Sequence, residues 1–424
     1  MFNEPDLSNP SPDCGCDAAE HHMLSVETAQ KLILQATPVL TVTERLSLRQ
    51  CLGRILANEI HATINVPSHR NSAMDGYAFA HNGADTGSNF EVIGQSLAGH
   101  PFQGELGQGQ CVRIMTGAIL PGTADTVVMQ EHTSFNDRQL RVNRIPSRGA
   151  NVRHPGEDLK QGEPILPASH KINTADLGLL ASQGVAELDV LRRPRIAFFS
   201  TGDELKSIGE TLSPGDVYDS NRYTLYGMLT KLGVDILDMG VIPDHPEKVE
   251  QAFAEAGRLA DMVITSGGVS VGDADYVTET LRKTGSVNFW KIAVKPGKPL
   301  AFGKLNERCQ FFGLPGNPVA VMATFLIFVR PAILKMCGEV VEDLVEHPAI
   351  SDTPIYKSPG RKEYQRGICH RDANGQWHVQ NTGMQGSHIL RSMSVANCFI
   401  VLPQLTGSLD AGTAVTIMPF AGLL

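Results

Sequence analysis

Apolar and polar positions alternate differently along the chain, and these changes divide it into segments. Residues 25–36 place apolar side chains at helical intervals behind a suitable N-cap, Ser25, which predicts a helix that ends before Pro38. Between residues 67 and 158, short alternating runs are separated by turns rich in Gly, Pro and Asn. This pattern is typical of a small β-rich domain.

The second half of the chain begins with a strand–helix–strand rhythm. The predicted strands are 195–200, 234–241, 261–266, 287–294 and 310–314. Helical patterns lie between them, and a long apolar helix is predicted at 318–336. The alternation predicts a mostly parallel sheet with helices on both faces. Short strands separated by turns then predict a small β-barrel at the C-terminal end of the chain.

Together these patterns predict a multidomain fold of the α/β plus β class. The segments on either side of the β-rich stretch are expected to pack together as a linker domain, so that the β-rich domain is an insertion. The predicted boundaries are 1–20 for a disordered tail, 21–66 with 159–192 for the linker domain, 67–158 for the inserted domain, 193–340 for a three-layer α/β domain and 341–424 for the β-barrel.

Composition and charge narrow the classes of partner. The 424 residues include 36 Lys and Arg against 45 Asp and Glu, a formal net charge of −9. This balance argues against general binding to nucleic acids or to anionic membranes. No apolar run reaches the ~18 residues that a membrane span needs, and residues 1–20 lack the basic start and apolar core of a signal peptide. We therefore expect a cytoplasmic protein.

Most of the eight cysteines are scattered, which favours reduced thiols over a disulfide framework. Cys14 and Cys16 are close together, and His21 and His22 follow them. This spacing could form a metal clip. The surrounding Pro- and Asp-rich sequence fits a disordered tail better.

Glycine-rich and basic segments follow the predicted strands of the α/β domain. In open α/β sheets, ligands bind beyond the carboxyl ends of the strands. Segment 266–275 runs from a strand through glycines into a helix, so it could hold an anion or form only a tight turn. Lys295 and Lys298, on a loop with two prolines, favour an anion site over two solvated lysines. The turn at 315–318 could shape the same pocket or be a rigid turn only.

Carboxylates follow three of the same strands. They are Asp203, Glu204, Asp244, Asp273 and Asp275. Acidic side chains beside a phosphate site are expected where Mg²⁺ bridges the two, because carboxylate oxygens suit that ion. Asp244, Asp273 and Asp275 could instead cap the helices that follow.

Several motifs occur in series along the chain. They are SAMDGYA at 72–78, RIMTGA at 113–118, TGDEL at 201–205, SGGVSVG at 266–272, KPGKP at 295–299 and GLPGNP at 313–318. Together they resemble the molybdopterin molybdenumtransferases, whose relatives include the E domain of gephyrin. The resemblance covers residues 24–424 in order, with departures at Ile119, where the family often has proline, and in the turn at 121–123.

The resemblance implies an enzyme that inserts molybdate into adenylylated molybdopterin and releases AMP with the help of Mg²⁺. It also implies a homodimer with the linker domain in the dimer contact. In that dimer, the molybdopterin-binding α/β domain of one subunit and the β-rich domain of the other form the active cleft. Transient contact with other cofactor-biosynthesis proteins is expected, whereas binding to nucleic acid or membrane is not.

The resemblance also assigns site residues. The expected catalytic residues are Asp75, Thr116, Asp158, Glu204, Asp244, Asp275, Lys291 and Lys295. The expected cofactor-binding residues are Ser266, Gly267, Gly268, Ser270, Gly272, Lys298, Pro315, Pro318, Arg361 and Ser387. The expected metal ligands are Asp203, Glu204, Asp244 and Asp275. From the residues alone, Asp75 is only a turn residue before Gly76, and Lys291 and Arg361 are equally well explained as surface cations.

Two other functions are compatible with parts of this pattern. A molybdopterin adenylyltransferase would share the α/β domain but not the β-rich domain or the barrel. A non-catalytic scaffold similar to gephyrin would share all of the domains, but the acidic and basic side chains at the strand ends argue against a purely structural role.

Overall fold

The structure is a computed structural model that describes residues 23–267, 280–281 and 286–424. Contacts divide the chain into two compact units. We call Thr43–Leu191 the β-rich unit, and Met1–Val42 together with Arg192–Leu424 the α/β–barrel unit. The predicted tail at 1–20, with Cys14 and Cys16, lies outside the described residues.

The first helix, α1 (Val26–Ala36), begins where the sequence predicts. The Thr28 amide donates to Ser25 Oγ at 3.1 Å, which satisfies a donor that the helix itself leaves unpaired. Three apolar side chains on one face, Val26, Ala29 and Ile33, are buried in the main core of the α/β–barrel unit. The helix is therefore held by packing as well as by its cap.

The β-rich unit contains many short strands, which confirms the prediction of a β-rich region. Its elements are β1 (Thr43–Ser47), β2 (Ile60–His61), β3 (Asn71–Ser72), β4 (Gly76–Phe79), β5 (Asn89–Ser96), β6 (Gln110–Ile114), β7 (Thr126–Met129), β8 (Thr133–Asn136), β9 (Gln139–Val142), β10 (Val152–Arg153), β11 (Pro164–Leu166), α2 (Thr174–Ser182) and β12 (Glu187–Leu191). Within the described residues, six of the strands form one sheet in the order β7-β4-β6-β5-β9-β8. The others pair as β1–β12, β2–β11 and β3–β10.

The α/β part of the second unit follows the predicted alternation. Its elements are β13 (Arg195–Thr201), β14 (Leu205–Lys206), β15 (Val217–Tyr218), α3 (Ser220–Leu232), β16 (Asp235–Ile242), α4 (Pro246–Leu259), β17 (Met262–Ser266), β18 (Ser286–Lys291), β19 (Val294–Lys295), β20 (Pro299–Lys304), β21 (Gln310–Leu314) and α5 (Pro318–Met336). Among the described residues, the main sheet has the order β16-β13-β17-β21-β20-β18.

This sheet has one strand that the sequence pattern does not predict. Strand β20 pairs antiparallel with both β18 and β21, whereas the pairs among β13, β16, β17 and β21 are parallel. Gly303 lies inside β20, and glycine weakens a strand signal. Here glycine is required, because a Cβ at this position would lie 2.1 Å from the carbonyl oxygen of Ser286 on β18.

The two faces of the sheet are covered by separate cores. Ile196 and Phe198 face a core that includes residues of α3 and α5. The alternate residues Ala197 and Phe199 face a second core that includes residues of α4. Side chains of a strand point to opposite faces in turn, so this alternation produces the predicted three-layer arrangement.

The apolar helix α5 contains a π-helical turn at Phe325–Val329, just before Pro331. Proline has no amide hydrogen, so the carbonyl of Ile327 loses its usual helical donor. The side chain of Gln30 on α1 replaces it, with Nε2 donating to the Ile327 oxygen at 3.1 Å. The expectation that no apolar segment is long enough to cross a membrane is wrong for α5, which has the length and composition for it, but 89% of its apolar window is buried inside the protein.

The C-terminal part of the α/β–barrel unit is a closed β-barrel, as predicted. Its elements are β22 (His347–Ser351), β23 (Lys362–Arg371), β24 (Trp377–Asn381), α6 (Leu390–Val395), β25 (Cys398–Leu402) and β26 (Ala414–Pro419). The strands follow the order β23-β24-β22-β26-β25, and β25 pairs back onto β23. The short strand β19 joins the barrel to the α/β part by pairing with the beginning of β23.

Candidate active site

The carboxyl ends of the parallel strands lie in register at one edge of the main sheet. Ser200 at the end of β13 pairs with Ser266, and Ser266 pairs with Leu314. Strand β18 runs in the same direction as β21, and the reversed strand β20 begins at this edge with Pro299 opposite Lys291. The loops singled out from the sequence therefore meet at one edge although β20 runs backwards.

Two of the expected metal ligands are adjacent at this edge. The amide of Asp244, after β16, donates to Oδ1 of Asp203, after β13, at 3.0 Å. The carboxylate of Glu204 folds back toward Gly202, where a Cβ would lie 2.6 Å from Glu204 Oε2. Within residues 23–267, 280–281 and 286–424, no group of three His, Cys, Asp or Glu side chains is arranged to hold a metal ion. Asp273 and Asp275 lie outside these ranges.

The beginning of the glycine-rich segment is held against its neighbours. Gly267 has a φ of +92°, and a Cβ there would lie 2.9 Å from the carbonyl oxygen of Thr201, so glycine suits both its conformation and its space. Its amide donates to the Leu314 carbonyl at 3.2 Å and is therefore used within the sheet edge. Gly268, Ser270 and Gly272, also expected in the site, lie outside the described residues.

Asn221, which the sequence analysis did not select, connects two of the predicted loops. Its side-chain Nδ2 donates to Ser266 Oγ at 2.8 Å and to the Gly316 carbonyl at 2.7 Å. Among the described residues, Asn221 Oδ1 and the nearby Asp219 Oδ2 are buried without a hydrogen-bond partner. The only sequence signal is a run of short polar residues at the start of α3, which is equally typical of an ordinary helix cap.

The loop that carries the two lysines is packed on α5. Gly297 has a φ of +110°, and a Cβ at this position would lie 2.4 Å from Cγ2 of Thr324. Lys295 is exposed, and its Nζ lies 3.4 Å from Oε1 of Glu363, a buried carboxylate on the barrel strand β23. Lys298 is half-buried, and its carbonyl accepts a hydrogen bond from the Ile292 amide.

The barrel contributes to the same edge of the sheet. The Val319 amide, next to the Pro315 and Pro318 turn, donates to the carbonyl oxygen of Ser387 at 3.1 Å. The loop of Ser387 is held by the buried Arg366, which donates to the Gly386 carbonyl at 3.0 Å. Burial lowers the pKa of Arg366 to about 10, which leaves it positively charged at neutral pH. Ser387 and the 315–318 turn are thus neighbours.

A second cluster in the α/β–barrel unit surrounds Arg361. The half-buried Arg361 follows Gly360, whose amide donates to the Gln404 carbonyl at 2.9 Å. Lys357 is only 6% exposed, and its Nζ donates to the carbonyl oxygens of Ser358, Gln404 and Thr406 at 3.1, 3.2 and 2.7 Å. The sequence analysis missed Lys357 and Glu363, because a lysine and a glutamate among turns predict solvated side chains.

In the β-rich unit, Asp75 and Thr116 form a tight pair. Oδ1 of Asp75 accepts hydrogen bonds from the amide and from the hydroxyl of Thr116, each at 2.7 Å. The amide bond, and then the hydroxyl bond, lower the pKa of Asp75 below its usual range, and the charge of Arg113 acts in the same direction. Asp75 is therefore a half-buried carboxylate that stays ionised below neutral pH.

The glycine after Asp75 is fixed by strand pairing. A Cβ at Gly76 would lie 1.9 Å from the carbonyl oxygen of Val128 on β7, so a larger residue cannot occupy this position in β4. This close approach explains why the carboxylate is followed by glycine. Asp158 lies in a separate turn of the same unit, where its amide donates to the Val66 carbonyl at 2.9 Å and its side chain is exposed.

The comparisons with known families cover most of the chain. Residues 24–184 match the MoeA N-terminal region (domain I and II), residues 197–335 a probable molybdopterin binding domain, and residues 348–420 the MoeA C-terminal region (domain IV). The three matches follow one another in the order of the motifs.

Individual relatives agree with these matches. The chain is 44% identical over 404 residues to the molybdopterin molybdenumtransferase of Haemophilus influenzae, covering 95% of this chain and 100% of that one. It is 34% identical to the enzyme of the same name from Nostoc, over 93% and 94% of the two chains. A crystal structure of the molybdopterin biosynthesis moeA protein from Pyrococcus horikoshii superposes with a TM-score of 0.79 at 27% identity, covering 94% and 100%.

The chain therefore belongs to the molybdopterin molybdenumtransferase family, and it is an enzyme of the transferase class. The resemblance drawn from the sequence motifs is confirmed.

Proposed function

We propose that the protein inserts molybdate into adenylylated molybdopterin, releasing AMP and giving molybdenum cofactor. The observation that carries the proposal is the single sheet edge where lysines, carboxylates and the Ser387 loop of the barrel meet. Both substrates are anions, so bringing them together costs electrostatic repulsion that only cations offset. Lys291, Lys295 and Lys298 supply such cations.

Within this proposal, the residues of the edge have separate tasks. Ser266, Gly267, Pro315 and Pro318 shape the pocket for the pterin substrate, and Asn221 keeps two of its loops together. Arg361 and Ser387 come from the barrel and help to orient the oxyanion. Gly268, Ser270 and Gly272 belong to the same proposed pocket.

The carboxylates suit a Mg²⁺ ion by their chemistry. Asp203 and Glu204 are exposed oxygen donors, and Asp203 lies directly beside Asp244. These three side chains, with Asp275, would hold the ion, which when bound supplies a Lewis acid at the phosphoanhydride. Glu204 and Asp244 would at the same time orient the phosphate group that leaves.

Asp75, Thr116 and Asp158 complete the proposed catalytic set from the β-rich unit. We propose a homodimer in which the β-rich unit of one subunit faces the α/β part of the other, in the cytoplasm and with transient contacts to other cofactor-biosynthesis proteins. Support for a reducing location comes from Cys51, Cys111, Cys309, Cys369 and Cys398, which form no disulfides among the described residues.

Reconstitution of an apo-molybdoenzyme tests the proposal. Purified protein, adenylylated molybdopterin, Mg²⁺ and molybdate should together restore its activity, and Asp75→Asn should abolish this while the variant stays folded. Asp137→Asn is the matched control, because Asp137 is exposed with a φ of +45° that asparagine also adopts. Full activity of Asp75→Asn would show that Asp75 is not one of the catalytic residues. Transfer of AMP from ATP to molybdopterin would favour an adenylyltransferase instead.

A further inference from the structure

The buried carboxylate of Glu363 lies directly behind Lys295. The two residues pair in register between β19 and β23, and Lys295 Nζ lies 3.4 Å from Glu363 Oε1. The lysine side chain is 46% exposed, whereas that of Glu363 is 4% exposed. The other carboxylate oxygen, Oε2, accepts a hydrogen bond from Gln365 Nε2 at 3.0 Å. The glutamate is thus fixed in the barrel wall, and the lysine can turn outward.

Other cations surround the same carboxylate. The pKa of the buried Lys357 is lowered overall. Burial and the charges of Lys295 and Arg361 lower it, and the charge of Glu363 opposes this shift. These effects place Lys295, Arg361 and Glu363 within electrostatic range of Lys357. Lys357 is fully engaged with three carbonyl oxygens, so Lys295 and Arg361 are the members of the cluster with exposed surface.

We propose that Glu363 is a positioning residue that serves as the resident counter-anion of Lys295. When an oxyanion binds, it replaces Glu363 as the ion-pair partner of Lys295. The negative charge of Glu363 then sets how strongly the site prefers monoanions or dianions. The inference rests on the proposed function, since molybdate is the oxyanion concerned. Beyond that function, we infer that the Glu363 carboxylate repels the oxyanion bound at Lys295. This repulsion keeps the binding of a dianion weak enough for its release.

The repulsion has a recognisable dependence on ligand charge. Coulomb energy is proportional to the charge of the ligand, so the carboxylate opposes a dianion twice as much as a monoanion at the same place. Removing one negative charge at ~7 Å in a water-like dielectric corresponds to about threefold tighter binding of a monoanion and about tenfold tighter binding of a dianion. Loss of a merely structural support would weaken both ligands.

Molybdate and perrhenate are suitable probes, because both are tetrahedral oxyanions of similar size and they carry two charges and one. Their dissociation constants are measured by titration calorimetry at low ionic strength for the wild type, Glu363→Gln and Glu363→Asp. Glu363→Gln should tighten perrhenate about threefold and molybdate about tenfold. Glu363→Asp, which keeps the charge, should stay within about twofold of the wild type.

Glu307→Gln is the matched control for net charge. Glu307 is exposed in the turn between β20 and β21, at the end of the sheet opposite to the lysine loop, so its removal should change neither affinity. If Glu363→Gln does not fold, Lys295→Gln serves as the second variant. It removes the lysine from Glu363, whose Oε2 keeps the Gln365 hydrogen bond, and should weaken molybdate more than perrhenate.

The outcomes separate this inference from the proposed function. Equal changes for both anions, weaker binding of both in Glu363→Gln, or no binding of either to the wild type would overturn the role of Glu363. Release of AMP by the wild type is measured in the same preparations. If the charge-dependent pattern appears without AMP release, the inference stands and the proposed function fails.

Discussion

The ammonium group of Lys357 is expected to hold two loops of the barrel together. Lys357→Met removes the donor of three hydrogen bonds, at 3.1, 3.2 and 2.7 Å, to the carbonyl oxygens of Ser358, Gln404 and Thr406. A hydrogen bond from a charged donor contributes about 1.5–3 kcal/mol, and the Gln404 carbonyl keeps the Gly360 amide as a second donor. Removing a buried charge returns part of this cost. We therefore expect a net loss of about 3 kcal/mol in the free energy of unfolding.

Unfolding in guanidinium, followed by tryptophan fluorescence, measures this loss. The chain has two tryptophans, and a Trp290→Phe background leaves Trp377 on β24 to report on the barrel. Lys304→Met is the control, because Lys304 is an exposed strand-end lysine whose removal should change stability by less than about 0.5 kcal/mol. A loss below about 1 kcal/mol for Lys357→Met would show that its ammonium group does not hold the two loops together.

The same side chain gives the stability a pH dependence with a defined sign. Burial lowers the pKa of Lys357 in the folded protein, so between that pKa and the ordinary lysine value the unfolded chain binds more protons. Stability contributed by Lys357 therefore rises with pH across this window. The stability difference between the wild type and Lys357→Met should grow as the pH rises toward 10.5, the ordinary lysine value, and a difference that shrinks would show that the sign is wrong.

Two further predictions concern the β-rich unit. Gly76→Ala should destabilise this unit by more than about 3 kcal/mol in thermal unfolding, because the new Cβ would lie 1.9 Å from the Val128 carbonyl oxygen. Gly178→Ala in α2 is the control: its Cβ meets nothing within 4 Å, so the variant should be neutral or stabilising. Thr116→Val should raise the pKa of Asp75 in a carboxyl NMR titration, but only part of the way to its ordinary value, since the Thr116 amide bond is retained. Equal stability of the two glycine variants, or an unchanged Asp75 titration, would contradict these contacts.

Local signals in the sequence predict much of the fold. Residues close together in the sequence determine the N-cap of α1, the alternation of strands and helices, and the short strands of the barrel. The collection of loops at one sheet edge is also predictable, because parallel strands end together. The resemblance adds Thr116, and it adds Asp75, which the local pattern alone predicts to be a turn residue.

Long-range contacts account for what the sequence pattern misses. Strand β20 depends on a glycine that only its pairing with β18 explains. The Ile327 carbonyl, which Pro331 leaves without a helical donor, is satisfied by Gln30, 297 positions away. The local sequence predicts a solvated Glu363, whereas in the folded barrel this residue is buried and lies beside Lys295. Such partners are set by tertiary packing and not by propensity.

Release of AMP is the most direct measure of the proposed molybdate insertion. The protein is mixed with adenylylated molybdopterin and Mg²⁺, with or without molybdate, and AMP is followed over a single turnover. The account predicts AMP release that requires molybdate and is lost in Asp75→Asn but kept in Asp137→Asn. AMP release that is independent of molybdate, or equal in Asp75→Asn and the wild type, would contradict it.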